Sequence, residues 1–78
     1  MCYVNLSLSR IGDDDLANLE DLPDVEVLDL SGTAVTDAGL EHLKGLEQLQ
    51  MLLLEGTRVT EAGVGWLQAF LPRTAIWR

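Results

Sequence analysis

Seventy-eight residues, 47% apolar and 23% charged, make one small domain, and a chain this short buries only about 60–65% of its unfolded surface, so its stability margin is thin. The net charge of −8 is unevenly spread: residues 1–43 carry ten acids against Arg10, and residues 44–78 carry three acids against four bases. That balance repels phosphate backbones and excludes a nucleic-acid reader, and no apolar run approaches the roughly 18 residues that span a bilayer, so no membrane contact is expected.

The chain opens Met1-Cys2-Tyr3-Val4, without the basic and apolar regions of a signal peptide. Cys2 is the single cysteine, which excludes an internal disulfide. Both features fit a cytoplasmic location, although a piece of a longer secreted chain would read the same. A first strand is expected at Leu6-x-Leu8, followed by Arg10-Ile11-Gly12-Asp13 and a helical stretch marked by Leu16, Leu19, Leu22 and Val25. Asp13-Asp14-Asp15 lacks the alternating acids, central glycine and distant glutamate of a calcium loop. It reads as helix-start chemistry, with Asp13 as the expected cap because Gly12 has no hydroxyl.

The next two units decide the architecture. Leu28 to Leu40 reads LDLSGTAVTDAGL and Leu52 to Val64 reads LLLEGTRVTEAGV, with eight of 13 positions identical at a spacing of 24. This is an internal repeat. Each unit begins with an alternating L-x-L segment, as a half-buried strand does, and ends with leucines every three residues, as one side of a helix does. Thr36-Asp37 and Thr60-Glu61 supply a threonine cap and an acid for the first helical turn. Gly39 and Gly63 precede the helical leucines and allow close packing. Pro23 and Pro72 follow the helical segments, where proline stops further winding. The helical series runs Leu40, Leu43, Leu46, Leu49 and then Val64, Leu67, Phe70, so Phe70, like Leu8, is expected in the core. A last strand is expected at Ala75-Ile76-Trp77. The units span about 3–24, 25–48 and 49–73, with a closing strand at 74–78. Matching Leu6-x-Leu8 to Leu28-x-Leu30 makes the first unit two residues short.

The pattern L-x-x-L-x-L followed by helical leucines resembles the leucine-rich repeat. Its form GT-x-VT-(D/E)-AG-(L/V) is similar to repeats of bacterial proteins, planctomycete ones among them, and to the cysteine-containing repeats of F-box substrate receptors. The resemblance covers about residues 3–78. It implies an α/β solenoid with parallel strands on a concave face and helices on the convex face. Thr33 and Thr57 stand where that family often carries Asn or Cys bonding neighbouring loops, which implies a hydroxyl ladder without a rung in the shortened first unit. The fold hosts many binding roles and implies no activity by itself.

Outward strand positions then fall into columns: Asn5, Val27, Met51 and Ala75; Ser7, Asp29, Leu53 and Trp77; Ser9, Ser31 and Glu55. The two best-matched units differ at Asp29/Leu53 and Ser31/Glu55, on this outward face. A constant frame with a varied face suits recognition, so Val27, Asp29, Ser31, Met51, Leu53, Glu55, Ala75 and Trp77 form the expected partner surface. Trp77 has two other readings, folding back over the last unit or lying in a disordered tail. Trp66 is expected to shield the C-terminal flank, and His42 to be an ordinary surface histidine. No catalytic constellation, phosphate loop, cofactor motif or metal-ligand spacing is present, so neither enzyme activity nor a cofactor is expected. A protein-interaction module is the first reading. The alternative is assembly, through self-association or stacking within a longer solenoid, because Tyr3-Val4 leads into the first strand with no capping segment before it.

Overall fold

Four three-residue strands, β1 (Tyr3–Asn5), β2 (Val27–Asp29), β3 (Met51–Leu53) and β4 (Ala75–Trp77), form one sheet in this computed structural model. The structure describes residues 3–21 and 24–78, and of Asp21 the backbone only. Leu22, Pro23 and Cys2, named above as core, helix stop and thiol, lie outside the described residues. The strands are parallel and in chain order, and each residue pairs with the one 24 positions on, as Tyr3 with Val27, Val27 with Met51 and Met51 with Ala75.

Strands this short supply little by themselves. A backbone hydrogen bond contributes about 0.5–1.5 kcal/mol net, whereas burying one leucine contributes roughly 1.5–3 kcal/mol. The leucines therefore decide the fold. Leu28, Leu30, Leu52 and Leu54 are fully buried, and so are Leu16, Leu40, Leu43 and Leu67 around them. Val4 and Ile76, the inward residues of the two edge strands, are half-buried against the same core.

The register corrects the reading of the first unit. Val4 pairs with Leu28, so Leu6 takes the place of Leu30 and Leu8 that of Gly32. The backbone agrees: Leu8 N–H donates to Ser31 O, as Gly32 N–H donates to Glu55 O, both at 2.8 Å. The unit is thus of full length. Leu8 is 86% exposed and adopts φ 59°, beside φ 72° at Gly32 and 77° at Gly56. Leu8 lies outside the core because its position is a left-handed turn, not a strand.

The helical segments differ in kind. Asp13–Asp21 and Asp37–His42 are 3₁₀ helices, and α1 (Glu61–Phe70) is an α-helix. A strict spacing of three, as in Leu40, Leu43, Leu46 and Leu49, suits a 3₁₀ winding or successive turns, since residues i and i+3 then eclipse. In α1 the winding of 3.6 residues carries the inward position from Leu67 to Leu71, which is buried, and leaves Phe70 outside. Phe70 is therefore not a core residue. It packs on Trp66, one turn earlier, with ring centroids 4.9 Å apart. Leu71 closes α1 and Pro72 follows directly, where its ring ends the winding.

Candidate functional site

Two features stand out from the residues upward: a link that ties successive units together, and an outward face on the sheet. The link explains the T-(D/E)-A-G signature. Thr36 and Thr60 cap their helical segments, accepting from Ala38 N–H and Gly63 N–H at 3.3 Å. Each also donates backward by 23 residues. Thr36 N–H and hydroxyl bond the two oxygens of Asp13 at 2.7 and 2.5 Å, and Thr60 bonds Asp37 at the same distances. Asp13 therefore bonds the next unit and does not cap its own segment. Asp15 does that instead, its carboxylate accepting from Gly12 N–H at 2.9 Å.

The glycine of the signature makes room for this link. A Cβ on Gly39 would strike the Asp13 carboxylate and Leu16, and one on Gly63 would strike the Asp37 carboxylate. The Thr60 hydroxyl, followed by the Thr60 N–H, holds the Asp37 carboxyl below the usual carboxylate range. Burial opposes this, and Arg78 adds a lesser lowering effect.

The hydroxyls of Thr33 and Thr57 stay within their own units. They donate to Leu30 O at 2.7 Å and Leu54 O at 2.6 Å, and Ser9 donates to Leu6 O in the same way. The expected ladder to neighbouring loops is thus a local turn lock, and the first unit has its member in Ser9.

On the outward face, β2, β3 and β4 bring the expected residues together in two rows. Val27, Met51 and Ala75 are mutual partners, and so are Asp29, Leu53 and Trp77. The first strand enters two residues earlier than the sequence suggested. Tyr3, not Asn5, joins Val27, and Asn5, not Ser7, joins Asp29. Ser7, not Ser9, then lies beside Ser31. Tyr3 reads from the sequence as leading into the strand, because Leu6-x-Leu8 imitates the strand pattern; the signal for the true register is Val4, 24 residues before Leu28.

Tyr3, Met51 and Trp77 are 56%, 37% and 59% exposed, Leu53 is half-buried, and Ala75 and Glu55 are exposed. Trp77 is held in β4, its carbonyl accepting from Leu54 N–H at 2.6 Å. Asp29 has a structural task as well, since its Oδ1 accepts from Ser31 N–H at 3.0 Å; Asn5 does the same for Ser7. The turn after Leu53 has no such side-chain bond, which leaves an apolar side chain where the earlier strands carry a polar one.

On the helical segments, His42 Nδ1 lies 3.4 Å from Glu20 Oε2, a pairing between units that the sequence spacing did not suggest. Among the described residues no group of three or more His, Cys, Asp or Glu side chains could hold a metal, and no helix is long and apolar enough to cross a membrane. Compared with protein-family models and with curated proteins, the chain matches none.

Proposed function

We propose that this chain is a short leucine-rich-repeat solenoid of bacterial type, with strands on its concave face and helices on its convex face. It works as a non-catalytic protein–protein interaction module in the cytoplasm, without cofactor or metal and without binding nucleic acid or membrane. Its partner lies across the strand face, against Val27, Asp29, Ser31, Met51, Leu53, Glu55, Ala75 and Trp77, joined by Tyr3. The 24-residue register and the cross-unit Asp–Thr links support the solenoid, since each turn is built to receive the next.

The observation that carries the recognition reading is the exposed apolar strip Tyr3, Met51 and Trp77, with Leu53 between them. The strip lies on the face of the sheet opposite the buried leucines, so its apolar area stays open to a partner. Aromatic residues and methionine supply large contact area at interfaces, and the acids Asp29 and Glu55 form a polar rim.

Capture of the partner by Leu53→Asn and Trp77→Ala variants tests this. Asn5 already occupies the equivalent position in β1, and Trp77 is exposed on an edge strand, so both variants should keep the fold. Both should lose the partner. Retained capture by the two folded variants would refute the assignment.

One observation favours a second reading. β1 and β4 each have a single neighbour in the sheet, and a strand edge of this kind can pair with another copy or another part of a longer solenoid. The acidic first half and slightly basic second half favour head-to-tail contact. Light scattering separates the two readings, since a strict monomer at high concentration excludes self-association.

A further inference from the structure

A groove of about 290 Å³ runs between the 3₁₀ segment Asp37–His42 and α1, lined by Asp37, Ala38, Glu41, Ala62, Gly63 and Trp66. We propose that this groove receives an arginine side chain presented by a basic protein segment. It involves none of the strand-face residues and stands apart from the recognition surface proposed above.

The lining specifies the occupant. Ala38, Ala62 and Gly63 are too small to fill the space, and Gly63 is fixed by the Asp37 carboxylate that a larger residue would strike. Trp66 forms an aromatic wall and remains 41% exposed. Asp37 is held by Thr60 at both oxygens, so it presents a fixed negative charge with lone pairs to spare. Glu41 is exposed and, among the described residues, has no hydrogen-bond or ion-pair partner.

An apolar ligand would strip water from two carboxylates and return nothing, and an anion would be repelled. A hard divalent cation prefers a shell of oxygens to an indole and three small residues. A guanidinium stacks flat on an indole while its N–H groups pair with carboxylates, which an ammonium cannot do. The protein makes a related contact next door: Lys44 Nζ sits 5.8 Å from the centroid of Phe70, whose ring packs on Trp66. The acidic first half of the chain would draw a basic segment toward this side.

The test is a titration of the ¹⁵N-labelled chain with a tetra-arginine amide, with tetra-citrulline and tetra-lysine amides as controls. The Trp66 indole N–H and the Gly63 amide should shift saturably with arginine, weakly with lysine and not at all with citrulline. Trp66→Leu and Glu41→Gln should each weaken the arginine response by about fivefold or more. Glu41 is on the surface, so Glu41→Gln decides the matter if Trp66→Leu disturbs the fold. The Trp77 indole reports the strand face separately, so failure here is distinct from failure of the recognition surface. The proposal is overturned if millimolar arginine peptide leaves Trp66 and Gly63 unmoved, or if lysine acts as well as arginine. It is equally overturned if the shifts spread over the acids of residues 13–29 and survive both variants.

Discussion

Asp37 and Thr60 join successive turns of the chain at two points, backbone N–H to Oδ1 at 2.7 Å and hydroxyl to Oδ2 at 2.5 Å. Thr60 at the same time accepts from Gly63 N–H and so begins α1. One threonine thus caps its own helix and grips the unit before it. Thr60→Val should remove the cap and the hydroxyl half of the grip, leaving the backbone N–H bond in place, and cost about 1–2 kcal/mol. Chemical denaturation measures this, and a loss under a few tenths would show the link to be incidental.

The same link sets an acid dependence. Thr60 lowers the Asp37 carboxyl in the folded chain relative to the unfolded value of about 3.9. The folded state therefore favours the ionised form, and this contribution is fully present at neutral pH and lost as pH falls through the folded value. Asp37→Ala should have a lower Tm than the wild type at pH 7, and the gap should narrow as the pH drops below about 4. A gap that stays constant into acid would show that Asp37 stabilises by some route other than its charge.

Gly63→Ala offers a change of sign. Alanine favours a helix interior over glycine by about 1 kcal/mol, yet Gly63 is buried and the added methyl would meet the Asp37 carboxylate. The single variant should be destabilised. In an Asp37→Ala background the obstacle is gone, and the same change should become neutral or stabilising. If Gly63→Ala has the same sign in both backgrounds, the carboxylate is not what keeps this position glycine.

Leu8 is the converse case, a leucine where the next two units have glycine. A left-handed backbone costs a non-glycine residue about 1 kcal/mol, and Leu8 is too exposed to recover that by burial. Leu8→Gly should raise stability or leave it unchanged, although glycine also adds freedom to the unfolded chain. A clear loss, read from the thermal midpoint, would mean that Leu8 packs against Gly32 to real effect.

How far the sequence could be read differs by unit. Leu28–Leu40 and Leu52–Val64 share so many residues that strand, cap and helical positions followed from alignment alone, and the buried leucines lie where the spacing put them. In the first unit Leu6-x-Leu8 offered a false match to Leu28-x-Leu30, because alternation looks the same after a shift of two residues. The true offset was written in Val4, Ile11, Asp13 and Leu16, all 24 before their counterparts. The Asp–Thr links were hidden for a different reason. Thr-Asp at a helix start reads as a local cap, and nothing in a linear string says that the acid's partner lies 23 residues ahead. Phe70 reads as core because a spacing of three serves a 3₁₀ turn as well as an α-helix, and only in α1 does the true α winding move the buried position on to Leu71.

Hydroxyl-radical footprinting of the chain, free and with its captured partner, tests the central functional claim most directly. Tyr3, Met51 and Trp77 are exposed and should react readily, as should Trp66 and Phe70 on the helical segments. The partner should shield Met51 and Trp77 strongly, with Tyr3 beside them. If Met51 and Trp77 oxidise as fast in the complex as in the free chain, the strand face is not where this protein meets its partner.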